Sequence, residues 1–199
     1  MESGLRALEQ APQDELSLYW QAVAGFNLAL CTGEEALPHA VRVLKAAVRR
    51  DPQDAESAIM LAVLYGRQIA VKPIRALWLG RKITALREAA LSSGANNPRV
   101  QSLTGSCWFH APSPFGDHQL AFDHLQKAAE LYEIEQASVL DFRQPRWGAA
   151  ECYGLLGDIR VERDDNAAAR RYYQAALRVN PNYRPARRGL KEMGDENGK

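Results

Sequence analysis

Nowhere in the 199 residues do about 18 or more apolar residues follow one another, so nothing in the chain is read as a membrane span. The first residues, MESGLRALEQAPQDEL, lack the basic n-region and apolar h-region of an export signal. The expectation is a cytoplasmic protein, with a periplasmic or envelope location as the alternative if a signal has been removed. Net charge is nearly absent, at +1, whereas a non-specific nucleic-acid binder carries a clear basic excess; no nucleic-acid partner is expected. Cysteine is scarce. Cys31, Cys107 and Cys152 lie far apart in apolar surroundings, with neither an even count nor a CxxC spacing, which argues against a disulfide framework or a zinc cluster. They read as small buried hydrophobes in a reducing compartment. Strand signals are missing, with no sustained period-two alternation and no Asn-Gly hairpin. So are a Gly-rich phosphate loop and the strained elbow of a serine nucleophile. No cofactor, metal or catalytic residue is therefore assigned, and the expectation is a protein that is not an enzyme.

What the chain does have is an internal repeat. Residues 46–52 read AAVRRDP, residues 175–181 read AALRVNP, and residues 89–98 read AALSSGANNP. Each has paired alanines near the end of an apolar-periodic stretch, a polar exit, then Asn or Asp before Pro. Alanine lets a neighbouring helix approach closely. Proline cannot continue a helix, and it pushes the preceding residue out of the α region. Working back from these endings predicts helix pairs at 14–32 and 34–50, 54–71 and 75–93, 98–110 and 117–137, and 146–162 and 165–179. A last helix at about 183–193, RPARRGLKEMG, carries the charged surface of a cap at an open end. The run AIMLAVLYGRQIAV is apolar nearly all round and predicts the most buried helix. Residues 1–13 are read as an N-terminal extension, 14–193 as one repeat domain and 194–199 as a frayed tail.

These residues resemble the tetratricopeptide repeat family. The fourth pair matches best, with Tyr153, Leu156 and Gly157 in its first helix and Ala169, Tyr173, Ala176 and Pro181 following at the family's spacing. Ala40, Leu44, Ala47 and Pro52 match in the first pair, which lacks the clear Gly. Ala58, Leu61, Ala62 and Tyr65 match in the second pair, and Ala121, Leu125 and Ala128 in the third. The resemblance implies an all-α fold, a right-handed α-solenoid of about four helix pairs plus a C-terminal capping helix. It also implies ligands along the wall made by each pair's first helix. On that resemblance the concave groove would present Glu56, Ile59, Val63 and Arg67 from the second pair. The third pair would present Arg99, Ser102, Ser106 and His110, and the fourth Glu151, Gly154 and Asp158. The stretches PSPFGDHQLAFDHLQKA and PRWGAAECYGLLG are similar to a subgroup of bacterial tetratricopeptide proteins, many of them envelope-associated and some accompanying solute transporters.

Three further features are candidates in their own right. The loop HAPSPFGDH at 110–118 holds two prolines and an apolar Phe115. In the structural reading Phe115 staples the loop to the core while Asp117 caps the next helix; in the functional reading the loop is a binding lip. His110, His118 and His124 fall close together, but His118 and His124 are six apart and point to different sides of a helix, so surface or packing roles are expected in place of a metal site. Trp108 and Trp147 read as core. Charge is uneven: between Arg42 and Arg87 ten Lys or Arg face three acids, and between Asp117 and Asp141 six acids face one Lys. Such runs are solvated faces by default, or a groove with one basic and one acidic end. In the second case Arg67, Lys72, Arg75, Arg81 and Lys82 would anchor an acidic segment.

The resulting expectation is a non-catalytic interaction module that binds a peptide or partner protein in a concave groove. The alternatives are an envelope accessory protein handling a solute beside a transporter, a metal-dependent enzyme on the His-rich loop, and self-assembly. Self-assembly into a homo-oligomer would use an apolar outer face of residues 14–32, with Leu18, Phe26 and Leu30.

Overall fold

Every described element is a helix, and several of the helices start at a capping side chain. The computed structural model describes residues 15–32, 35–138 and 145–196. Among these lie α1 (Glu15–Thr32), α2 (Leu37–Arg50), α3 (Ala55–Val71), α4 (Ala76–Gly94), α5 (Pro98–His110), α6 (His118–Ala137), α7 (Ala149–Glu162), α8 (Asn166–Val179) and α9 (Arg184–Glu196), with a 3₁₀ turn at Pro73–Arg75 before α4. The anticipated 1–13 extension lies outside the described residues. So does Gly33 at the first predicted helix break. Helix α9 runs on to Glu196, into the anticipated 194–199 tail, whose last three residues lie outside the described residues.

The caps account for four of the starts. Asp54 accepts the Ser57 amide at 3.1 Å ahead of α3. Asn97 accepts the Arg99 amide at 2.9 Å and places Pro98 in the first turn of α5. Asp117 accepts the amides of Gln119 and Leu120, both at 2.9 Å, ahead of α6. Asp165 accepts the Ala168 amide at 3.0 Å ahead of α8. Each carboxylate or carboxamide satisfies amides that have no partner inside the helix. Arg49 and Arg50 close α2, where cations favour the helix dipole.

The described residues fall into two compact units, one through Ala95 and one from Asn96. The same nested packing holds within each. In the first unit α2 packs on α1, and α3 packs on both before α4 folds back on α3. In the second, α6 packs on α5, α7 on both, α8 on α7, and α9 on both α7 and α8. A first helix resting on both helices of the preceding pair is how stacked pairs bury faces that one pair leaves open. The fold is an all-α array of tetratricopeptide-like pairs with a closing helix.

Small residues set the crossings. Gly25 of α1 rests on Ala40 of α2: a Cβ built there would stand 3.6 Å from the Ala40 backbone. The small residue at the crossing of the first pair is therefore Gly25. A Cβ at Gly105 would come within 2.6 Å of Leu125 and 2.9 Å of the Ala121 carbonyl oxygen, so α5 and α6 can meet only with glycine there. This fixes the register of residues 98–110. In the second unit the Tyr173 ring lies between two glycines, Gly157 of α7 and Gly189 of α9, each of whose built Cβ would stand 2.5 Å from it.

The cores follow the sequence pattern in most places. Helix α3 buries nine residues from Glu56 to Tyr65, as its apolar run predicts. The second unit's core joins Phe122, Leu125, Tyr132, Leu156, Ile159 and Tyr173 among others. Helix α9 buries Ala186 and Met193 and exposes Arg184, Arg187, Arg188 and Lys191, the division expected of a cap. Two expectations are corrected. Leu18 and Phe26, assigned to an outer pairing face of α1, are buried, because α1 turns that side toward α2 and α3; of the three named residues only Leu30 is exposed. Of the cysteines, Cys152 is buried, Cys107 is half-buried and Cys31 is exposed. Among the described residues no helix is long and apolar enough to cross a membrane.

Candidate functional site

The face expected to bind ligand is made by the first helices of the pairs, and packing decides how much of it is accessible. In the first unit Glu56 and Ile59 are buried. The Tyr19 hydroxyl of α1 donates to the Glu56 carboxylate, so this acid ties α1 to α3. Farther along α3, Val63 and Arg67 are half-buried and present their outer parts to solvent.

The second unit shows the same division. Arg99 is buried, and its guanidinium donates to Glu135 of α6 at 2.8 Å. Taking such a charge out of water is tolerable because the partner carboxylate is equally fixed. Ser102 is also buried, beside Cys152, and burial pushes the Cys152 thiol up to about 12. The thiol donates to the Leu125 carbonyl at 3.3 Å. Ser106 is half-buried, while His110 and Glu151 are exposed. Gly154 is buried because Tyr183 lies across it: a Cβ there would sit 2.7 Å from the ring. Asp158 is half-buried and accepts the Tyr173 hydroxyl at 2.6 Å. Burial raises the Asp158 pKa above the ordinary carboxylate range, while the Tyr173 hydrogen bond and Arg188 act in the opposite direction. Of the residues named from the family's wall, Val63, Arg67, Ser106, His110, Glu151 and Asp158 keep accessible surface, whereas Glu56, Ile59, Arg99, Ser102 and Gly154 are packed inside their units.

The proline loop separates its two assigned roles. Asp117 caps α6, and its amide is bound by the Trp108 carbonyl at 3.3 Å, closing the loop on the end of α5. Phe115 does not staple: it is 72% exposed, because the turn around Pro112 directs it away from the core. The tight turn requires Gly116, where a Cβ would meet the Ala111 carbonyl oxygen at 2.3 Å. The histidines near the loop are engaged with neighbours. His118 Nδ1 lies 2.6 Å from Glu162, and His124 Nδ1 lies 2.7 Å from Gln101. The Phe109 ring meets His110 edge-on and His118 at a tilt, each with ring centroids 5.0 Å apart.

The basic patch has a companion that charge counting missed. Lys72, Arg81 and Lys82 are exposed and Arg75 is half-buried. Between them Ile74 is 64% exposed, Leu77 75% and Trp78 50%. Helix periodicity carries the signal: Leu79, Ile83, Leu86 and Ala90 face α3, which leaves Leu77 and Trp78 on the opposite side.

A further feature had no sequence signal. An open groove of about 760 Å³ runs along α6, α7 and α8, lined by Tyr132, Glu133, Trp147, Glu151, Tyr153 and Arg178 among others. Trp147, read as core, is a half-buried wall of this groove.

No family model matches the chain, and no curated protein does either. Two solved structures of MamA, a tetratricopeptide-like protein, are similar in fold. One aligns with a TM-score of 0.52 at 17% identity, covering 87% of this chain and 84% of that one. The other aligns with a TM-score of 0.51 at 17% identity, covering 89% and 81%. What this chain shares with MamA is the fold, an array of tetratricopeptide-like helix pairs.

Proposed function

We propose that the protein is a non-catalytic interaction module that holds a peptide or a segment of a partner protein against the first-helix faces of its pairs. The observation that carries this reading is the makeup of α7. Its buried glycines, Gly154 and Gly157, lie against Tyr183 and Tyr173, while Glu151, Asp158 and Glu162 keep accessible surface at roughly two-turn and one-turn intervals. A rigid, closely backed helix with spaced polar groups fixes an extended chain without ordering long side chains of its own. Asp158 is held in place by Tyr173, and His110 stands at the open end of α5. In the first unit Val63 and Arg67 occupy the corresponding positions on α3.

The test is capture of a partner by the full chain, followed by Arg67→Glu and Asp158→Lys. Capture should fall about ten-fold or more for at least one variant, as expected when one member of a desolvated charged contact is reversed. Undiminished capture by both variants would sink the first-helix assignment.

The solute-handling reading, in the manner of envelope accessory proteins, is favoured by one observation, the groove walled by Tyr132, Trp147 and Tyr153 with Glu133, Glu151 and Arg178. Aromatic walls with a few polar groups suit a small amphiphilic solute. Trp147→Ala would then abolish ligand-induced thermal stabilisation while leaving peptide capture intact.

A further inference from the structure

Eleven large hydrophobic side chains are exposed among the described residues, and four of them, Val71, Ile74, Leu77 and Trp78, fall within eight consecutive positions. The others are dispersed along the chain, as single exposed apolar residues usually are. The cluster sits where the chain leaves α3, makes the 3₁₀ turn at Pro73–Arg75 and enters α4. Helix α4 is 19 residues long and buries only Leu79 and Ala90, so the rest of its first turns is open to solvent. A Cβ built on Gly80 meets nothing within 4 Å.

The same stretch is the most one-sided in charge. From Arg67 to Arg87 there are six Lys or Arg and no Asp or Glu. Among the described residues Lys72, Arg75, Arg81 and Lys82 form no ion pair. Four free cations therefore surround three protruding apolar side chains on one lip.

We propose that residues 71–82 dock this protein on an anionic membrane surface, with Ile74, Leu77 and Trp78 entering the headgroup boundary and Lys72, Arg75, Arg81 and Lys82 meeting the lipid phosphates. Two features favour a bilayer over an acidic peptide. A peptide would answer the charges but would need its own pocket for each protruding side chain, since protein hot spots are desolvated inside packed cavities. A bilayer accepts a convex apolar wedge with no preformed cavity, and its headgroups supply the negative charge at the same depth. Tryptophan, with an apolar body and one N–H donor, settles at that depth. The inference is independent of the first-helix reading, because none of these residues belongs to that face.

The experiment is co-sedimentation of the full chain with vesicles of phosphatidylcholine alone and of phosphatidylcholine mixed with phosphatidylglycerol. Binding is expected only to the second, weakening as salt rises. Lys72→Glu combined with Arg81→Glu should lower partitioning at least about ten-fold. Leu77→Ser combined with Trp78→Ala, both at exposed positions that leave the helical circular dichroism unchanged, should lower it by a similar factor. In the wild type, quenching by lipids brominated near the headgroup should report a tryptophan at that depth, and Trp78→Phe should remove that quenching. Failure to bind phosphatidylglycerol vesicles at low salt overturns the proposal. So does binding that the Leu77 and Trp78 substitutions leave unchanged. Retention of an acidic amphipathic peptide without vesicle binding assigns the lip to a protein partner and overturns it equally. A dimer that Trp78→Ala dissolves assigns the lip to a second copy of the chain, with the same consequence.

Discussion

Asp158 illustrates how one residue serves packing and surface together. Its carboxylate takes the Tyr173 hydroxyl at 2.6 Å, and Tyr173 is wedged between Gly157 and Gly189, so the acid fixes the ring on which three helices meet. The same burial raises its pKa. A raised folded-state pKa means that the native protein holds the proton more tightly than the unfolded chain. Its contribution to stability is full below the unfolded carboxylate pKa and is lost as pH rises through the folded value. Asp158→Asn, whose amide oxygen still accepts from Tyr173, lacks this dependence. Relative to wild type, the variant should gain stability as pH rises from about 4 through the raised pKa, measured by urea midpoints at successive pH values. A constant difference across that range would show that burial does not penalise the charge.

At the scale of the element, the helix ends were legible and the helix faces only partly so. Asp54, Asn97, Asp117 and Asp165 precede the helices they cap, and Pro52, Pro98 and Pro181 follow the exits they enforce, because capping and proline geometry are local. Crossings are not local. Gly25 carries no sequence signal, because nothing in α1 says that Ala40 will lie against it. Gly105 is the sharper case, since its missing Cβ is required by the backbone of another helix. Gly105→Ala should destabilise the second unit by about 1–3 kcal/mol, read from its denaturant midpoint, because Leu125 can move and the Ala121 carbonyl cannot. An unaltered midpoint would mean that α5 and α6 separate without cost.

At the scale of the molecule, the chain divides into two compact units between Ala95 and Asn96, at the exit whose polar residues lengthen the Ala-Ala-to-Pro interval. The second unit has its own core, from Ala121 to Met193, and chain enough to bury it. Residues 96–199 expressed alone should therefore be helical by circular dichroism and unfold in one cooperative transition. A broad, non-cooperative melt would show that this unit needs the rest of the chain.

Sequence alone determined the repeat, the approximate helix boundaries, the Asp117 cap and the all-α class, because each follows from periodicity and from the chemistry of a few neighbouring residues. It also placed the basic stretch at 72–82 and the unusual loop at 110–118. Tertiary structure decided which of the named residues reach solvent. Glu56, Ile59, Arg99, Ser102 and Gly154 carry the spacing expected of a ligand wall, yet they are packed inside their units. Phe115 and Trp78 carry the hydrophobicity of a core and lie outside it. A helix's own period says which residues share a face. Only the helix packed against it says whether that face is wet.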